Sequence, residues 1–110
     1  MDIEIPFDFP ENLRNFLRRC GYQELSDINN GTTSYKRRLT GDYYPRFHLY
    51  PKLEDGRNLL SLHLDQKKPS YPGAHAHSAE YDGSVVSDEA ARIAGLIKNI
   101  LDNHSHSSLR

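Results

Sequence analysis

The stretch that decides the fold is residues 46–65, which read RFHLYPKLEDGRNLLSLHLD. Apolar and polar side chains alternate over 46–50 and again over 60–65, a pattern typical of strands with one buried face. Between them, Asp55 and Gly56 form a dipeptide that is a strong signal for a two-residue hairpin turn. The sequence therefore predicts an antiparallel hairpin centred on these two residues.

This turn also predicts which residues lie opposite each other. One face of the hairpin collects the apolar pairs, which are Phe47 with Leu64, Leu49 with Leu62, and Pro51 with Leu60. The other face collects the polar pairs, which are Arg46 with Asp65, His48 with His63, and Tyr50 with Ser61. Because a slip of one residue would exchange the two faces, the clean separation favours this register.

Two helices and a third strand are predicted around the hairpin. Apolar residues recur with helical spacing over 10–20 and 88–102, while the β-branched and aromatic stretch 32–39 predicts a strand. The fold class is then α+β in the order α-β-β-β-α, an antiparallel sheet with its helices packed on one face. Residues 1–9 are expected to form an extended arm or an edge strand, and residues 103–110 a disordered tail.

Length and composition exclude several classes of protein. The chain has 110 residues, a formal net charge of −1 and one cysteine, Cys20, so an intramolecular disulfide is impossible. No apolar run approaches the roughly 18 residues of a membrane helix, and the first residues lack the positive charge of a secretory signal. We therefore expect a single cytoplasmic domain over 10–102, with a short strand possible at 22–26 and a long loop at 66–84.

Two short motifs carry a family resemblance. The segment 19–22 (RCGY) ends the first helix and the segment 31–35 (GTTSY) opens a strand. Together with the element order, they make residues 11–65 resemble HicA-like toxins and the double-stranded-RNA-binding-like fold. HicA-like toxins begin the equivalent strand with glycine, serine and a histidine that supports RNA cleavage. This chain has threonine in place of that histidine, so the resemblance implies the fold, without ribonuclease activity by that route.

A second resemblance covers the segments 62–71 (LHLDQKKPSY) and 76–83 (AHSAEYDG). They are similar to segments of small bacterial proteins without an assigned activity. This resemblance implies no function.

Charge and aromatic residues predict the binding of RNA, a nucleotide or another phosphate-bearing ligand. Residues 31–70 hold eight basic and four acidic side chains. Basic groups attract phosphate, and exposed tyrosines stack on unpaired bases. If alternate residues of the third strand face the core, the open sheet face presents Lys36, Arg38, Arg46, His48 and His63, followed by Lys67 and Lys68. Such a binding module needs no cofactor, and these residues favour a binding protein over an enzyme.

Two other functions stay open. Imidazoles and carboxylates are typical ligands of zinc and other divalent metals, so a metal-dependent hydrolase is an alternative. Its candidate ligands are His63, Asp65, His75, His77 and Glu80. A triad of His63 and Asp65 with a nearby serine is disfavoured, because residues two apart on a strand are separated by about 6–7 Å. The second alternative is a protein-interaction module that uses the long loop or the acidic N-terminal arm.

Overall fold

The computed structural model describes residues 1–66 and 83–108. The fold class is α+β, as predicted, and the sheet has five antiparallel strands. The element order is β-α-β-β-β-β-α, so the predicted order α-β-β-β-α is wrong. In chain order the elements are β1 (Asp2–Ile5), α1 (Leu13–Arg19), β2 (Gln23–Asp27), β3 (Thr32–Arg38), β4 (Arg46–Glu54), β5 (Arg57–Asp65) and α2 (Gly83–Ser108).

The difference in order comes from two short strands at the edges of the sheet, whose strand order is β1-β5-β4-β3-β2. β1 pairs with β5, with Ile3 opposite Leu60, so residues 2–5 form the edge strand that was one of the two expectations. β2 pairs with β3, with Glu24 opposite Tyr35. Both strands are short: β1 adds Ile3 to the core, whereas β2 reads QELSD and has a single strong apolar residue.

The central hairpin has the predicted turn and the predicted register. Asp55 and Gly56 both have positive φ, at 53° and 74°, as a type I′ turn requires. Glu54 then lies opposite Arg57. All six predicted cross-strand pairs between residues 46–51 and 60–65 are observed.

Both helices contribute to one core on the apolar face of the sheet, as predicted. Seven large side chains are almost completely excluded from solvent, and they are Phe16, Leu17, Tyr22, Leu49, Leu60, Leu62 and Ile93. They come from α1, α2, β4 and β5, and from Tyr22 directly before β2. Cys20 is buried in the same cluster.

The first helix begins later than predicted. Its N-cap is Asn12, whose side chain accepts a hydrogen bond from the backbone N of Asn15 at 3.1 Å. Pro10 therefore lies outside the helix instead of in its first turn. Gly21 follows the helix in the left-handed conformation, with a φ of 99°.

The second helix is longer than predicted at both ends. It begins at Gly83 and continues through residues 103–108. The predicted division into arm, domain and tail is not tested by these bounds. Within residues 1–66 and 83–108, neither helix is both long enough and apolar enough to cross a membrane.

One buried carboxylate fastens α2 to the rest of the domain. Glu89 is 5% exposed and accepts a hydrogen bond from the Tyr22 hydroxyl at 2.6 Å. Arg92 donates to both Glu89 oxygens and also to the carbonyl oxygen of Cys20. Arg37 of β3 lies 3.6 Å from Glu89. These contacts join α2 to the end of α1, to Tyr22 directly before β2 and to β3.

Candidate functional site

The polar face of the sheet brings together five of the residues predicted to bind phosphate. Lys36 lies opposite His48, and Arg38 lies opposite Arg46. His63 of β5 lies opposite His48 on the other side. Because alternate residues of β3 pack in the core, the condition for placing Lys36 and Arg38 on this face is met. The other two predicted residues, Lys67 and Lys68, lie outside the described residues.

Three of these side chains are much less exposed than an open face implies. Lys36 and Arg46 are each 8% exposed, and His48 is 7% exposed. Aromatic rings lie against the two cations. Cζ of Arg46 is 4.7 Å from the centre of the Tyr43 ring and 4.8 Å from that of Tyr44, while Nζ of Lys36 is 4.4 Å from the Tyr43 ring. The expectation of full access to solvent is therefore corrected for these three residues.

These contacts define a compact basic and aromatic group, the Tyr43 cluster, which consists of Lys36, Arg38, Arg46, Tyr43 and Tyr44. Cζ of Arg38 is 5.3 Å from the Tyr43 ring, so three cations surround one phenol. A hydrogen bond with Arg46 and the positive charges of Arg46 and Lys36 lower the pKa of Tyr43. The cluster is therefore electropositive although the whole chain carries a net charge of only −1.

Arg46 has an unused hydrogen-bond donor at the centre of this cluster. Its Nε lies 3.2 Å from Oδ2 of Asp65, as the predicted pairing indicated. Its Nη1 is buried and has no hydrogen-bond partner among residues 1–66 and 83–108. Burial acts to lower the pKa of Arg46, but hydrogen bonds with Tyr43 and Asp65 outweigh it and raise that pKa. A charged guanidinium with an unsatisfied buried donor favours an anion as its partner.

Next to Arg46, a chain of hydrogen bonds crosses three strands. Oγ of Ser34 in β3 lies 2.7 Å from Nε2 of His48 in β4. Nδ1 of the same imidazole lies 2.8 Å from Oδ2 of Asp65 in β5. Each contact is diagonal, because Ser34 and Asp65 lie two residues along their strands from the residues directly opposite His48.

The partners of the imidazole assign its tautomer. An ionised carboxylate can only accept, so the proton between Asp65 and His48 resides on Nδ1. In the neutral ring Nε2 is then an acceptor, and the Ser34 hydroxyl donates to it. The Tyr50 hydroxyl is also 2.9 Å from Nδ1, and its ring centre is 4.1 Å from that of His48. Tyr50 therefore restrains the imidazole on one side while Asp65 sets its proton.

The second histidine of the face has a separate partner. Nε2 of His63 is 2.9 Å from Oγ of Ser61 in an exposed pair. The Asp65 carboxylate forms hydrogen bonds with His48 and Arg46 and not with His63. The sequence argument that His63 and Asp65 are too far apart for a short hydrogen bond agrees with this arrangement.

The predicted metal site can be described only in part. Of its five candidate ligands, His63 and Asp65 lie on the polar face, whereas His75, His77 and Glu80 lie outside the described residues. Within residues 1–66 and 83–108, no three histidine, cysteine, aspartate or glutamate side chains form a group that could hold a metal ion. The metal-dependent hydrolase therefore stays a prediction.

The sequence interpretation missed the role of Ser34. The register between β4 and β5 already placed Asp65 diagonal to His48, so half of the chain was predictable. The register between β3 and β4 was not, because no tight turn fixes it: residues 39–45 connect these strands. Comparisons with family models, with curated proteins and with solved structures give no significant match for this chain.

Proposed function

We propose that the protein binds RNA or a nucleotide through the Tyr43 cluster on the polar face of its sheet. The observation that carries this proposal is the buried Arg46 guanidinium, whose Nη1 has no partner among the described residues. A buried donor without an acceptor costs about 1–3 kcal/mol. A phosphate oxygen at Nη1 would remove that cost and would add a charge-assisted hydrogen bond.

The surroundings of Arg46 fit a phosphate-bearing ligand. Lys36, Arg38 and Arg46 contribute three positive charges, and Asp65 is the carboxylate that contacts this group, at Arg46. The excess of positive charge attracts a phosphate, and its effect is large because two of the cations are shielded from water. The site therefore matches a polyanion better than a neutral ligand.

The tyrosines supply a surface for the base. Tyr43 is 46% exposed although its ring contacts cations of the cluster. A base can stack on such a ring, a contact worth about 1–3 kcal/mol, and unpaired bases are the ones that are free to do so. Because Lys36 and Arg46 are nearly buried, the Tyr43 ring must also shift for a phosphate to reach them. We therefore expect single-stranded RNA or a nucleotide as the ligand.

Fluorescence anisotropy with a labelled pool of short single-stranded RNAs, measured over a series of salt concentrations, tests the proposal. If the three cations contact phosphates, the logarithm of the binding constant falls with the logarithm of salt concentration with a slope of about −2. Arg38→Ala should reduce this slope by about 0.7, because it removes one exposed phosphate contact. Tyr43→Ala should weaken binding about 5- to 160-fold.

Arg57→Ala is the matched control, because Arg57 is an exposed arginine that pairs with Glu4. It should leave both the affinity and the slope at their original values. Binding that does not depend on salt, or equal losses in Arg38→Ala and Arg57→Ala, would contradict the proposal. The absence of RNA and nucleotide binding at low salt would do so directly.

A further inference from the structure

The hydrogen-bond chain through His48 has the order of atoms that activates a serine. The Ser34 hydroxyl is 2.7 Å from Nε2, and the Asp65 carboxylate is 2.8 Å from Nδ1 of the same ring. In serine hydrolases the base contacts the nucleophile through one nitrogen, and the carboxylate fixes the tautomer through the other. We propose that Ser34, His48 and Asp65 form a hydrolytic site for carboxylic esters, with Ser34 as the nucleophile.

The burial of the three residues suits these roles. His48 is 7% exposed, so its ring is protected from bulk water and restrained by the stacked Tyr50 ring. Ser34 is half-buried, so part of the residue remains in contact with solvent. Asp65 is held by Arg46, whose Nε lies 3.2 Å from the oxygen that also contacts His48. The base is therefore fixed in place beside a serine that is only partly buried.

The reaction follows from these contacts in two steps. Oγ of Ser34 bonds to the ester carbonyl carbon, its proton passes to Nε2 of His48, and the carbonyl oxygen takes up the negative charge. The bond to the alcohol oxygen then breaks, and the alcohol leaves with the proton from Nε2. Water next attacks the acyl-Ser34 carbonyl carbon and gives its proton to Nε2. The Ser34 oxygen departs and recovers that proton, so the net reaction converts ester and water into acid and alcohol.

Lys36 is a cation near the hydrogen-bond chain. It lies opposite His48 and two residues after Ser34 on the same face, a separation of about 7 Å along the strand. Positive groups stabilise the developing oxyanion in acyl transfer, and the Lys36 ammonium, which contacts the Tyr43 ring at 4.4 Å, would have to leave that ring to do so. Hydrolysis does not require a ligand at the Tyr43 cluster, so it can be tested separately from RNA binding.

The experiment uses a fluorophosphonate probe on the whole protein, followed by intact-mass measurement and peptide mapping. The probe phosphonylates an activated serine with loss of fluoride, and the proton leaves through the base. We expect one adduct, on Ser34, and no adduct in Ser34→Ala. Asp65→Asn should slow labelling at least about 100-fold, because the amide favours the wrong tautomer.

Ser61→Ala is the matched control, because Ser61 also contacts a histidine on this face, His63, while Asp65 turns to His48. It should be labelled at the original rate. No adduct, an adduct on another serine, or equal labelling rates in Asp65→Asn and the original protein would overturn the proposal.

Nitrogen chemical shifts of the His48 ring in the unmodified protein give a second measurement that does not depend on whether Asp65→Asn folds. We expect Nδ1 to be protonated and Nε2 to be unprotonated. A proton on Nε2 alone would also overturn the proposal.

Discussion

Replacing Tyr22 by phenylalanine removes one hydroxyl group and tests how α2 is held against the sheet. Tyr22 is 2% exposed, and its hydroxyl lies 2.6 Å from a Glu89 oxygen. Hydrogen bonds to charged groups contribute about 1.5–3 kcal/mol. Because Tyr22 and Glu89 are both buried, water cannot easily replace the lost hydroxyl as a donor to Glu89. We therefore expect the free energy of unfolding to fall by that amount in Tyr22→Phe. At about 4 °C for each kcal/mol, the melting temperature should fall by roughly 6–12 °C.

Urea unfolding at pH 7, followed by circular dichroism, measures this loss. The midpoint should decrease while the slope of free energy against urea stays the same, because the folded structure keeps its shape. Arg14→Ala is the control, since Arg14 is 58% exposed and pairs with Glu24 at 2.8 Å on the surface. Exposed pairs contribute less than about 1 kcal/mol. A smaller loss in Tyr22→Phe than in Arg14→Ala would refute the role assigned to the buried bond.

The same carboxylate predicts how stability depends on pH. Burial acts to raise the pKa of Glu89, but hydrogen bonds from Arg92 and Tyr22 outweigh it and lower that pKa in the folded protein. Its stabilising contribution is therefore complete above the unfolded pKa of about 4.3 and is lost as pH falls through the lower folded pKa. Glu89→Gln should be less stable at pH 7 but should lose less further stability between pH 5 and pH 3. An equal loss of free energy of unfolding between pH 5 and pH 3 in the two proteins, measured by urea unfolding, would contradict this assignment.

Three further substitutions have predicted signs. Gly56→Ala should lower the free energy of unfolding by about 1–2 kcal/mol, because φ is 74° there although nothing lies within 4 Å of an added Cβ. Gly95→Ala should raise it by up to about 1 kcal/mol, because this helical position is exposed and nothing lies within 4 Å of an added Cβ. Urea unfolding measures both variants, and changes of the same sign would contradict the conformational argument. Leu62→Ala should lower it by about 2–5 kcal/mol in calorimetry, because Leu62 is 1% exposed in the core, and a loss below about 1 kcal/mol would contradict that placement.

The central hairpin was predictable because local and long-range signals agree there. Asp55 and Gly56 adopt the positive φ values that the turn needs, and the alternation on each side separates the same two faces. A register shifted by one residue would satisfy neither constraint, because it would move the apolar side chains to the polar face. The apolar face of the first helix was predictable from its periodicity, since it carries Leu13, Phe16, Leu17 and Cys20, at the i, i+3, i+4 and i+7 spacing of one helical face.

The edge strands were harder to predict because their own residues determine them weakly. Pro6 follows β1 directly, and β2 reads QELSD, with a single strong apolar residue. What makes these segments strands is the free edge offered by a longer neighbour, β5 for one and β3 for the other. Such pairing depends on the assembled sheet and leaves little trace in the local sequence.

The exposure of the polar face also could not be predicted from alternation alone. Alternation assigns Arg46 and His48 to one face of the sheet. It does not show how much of that face is covered by other side chains. The connection between β3 and β4 places Tyr43 and Tyr44 against Arg46, and Tyr50 stacks on His48. Long aromatic side chains cover polar neighbours on a flat sheet, so the predicted open face became a partly covered site.

Asp65 connects the two activities proposed for this face. Its Oδ2 accepts from Nε of Arg46 and from Nδ1 of His48, so one oxygen positions both the anion-binding guanidinium and the imidazole base. A ligand that draws Arg46 away from Asp65 would leave His48 as the donor at that oxygen. Ligand binding would then change the hydrogen bond that positions the imidazole, and so it is coupled to the reactivity of the serine. Ser34→Ala should abolish labelling without changing RNA affinity, whereas Arg38→Ala should weaken RNA binding without changing the labelling rate of the free protein. Asp65→Asn is the change that should affect both sites, because they share that carboxylate: it should slow labelling and change RNA affinity.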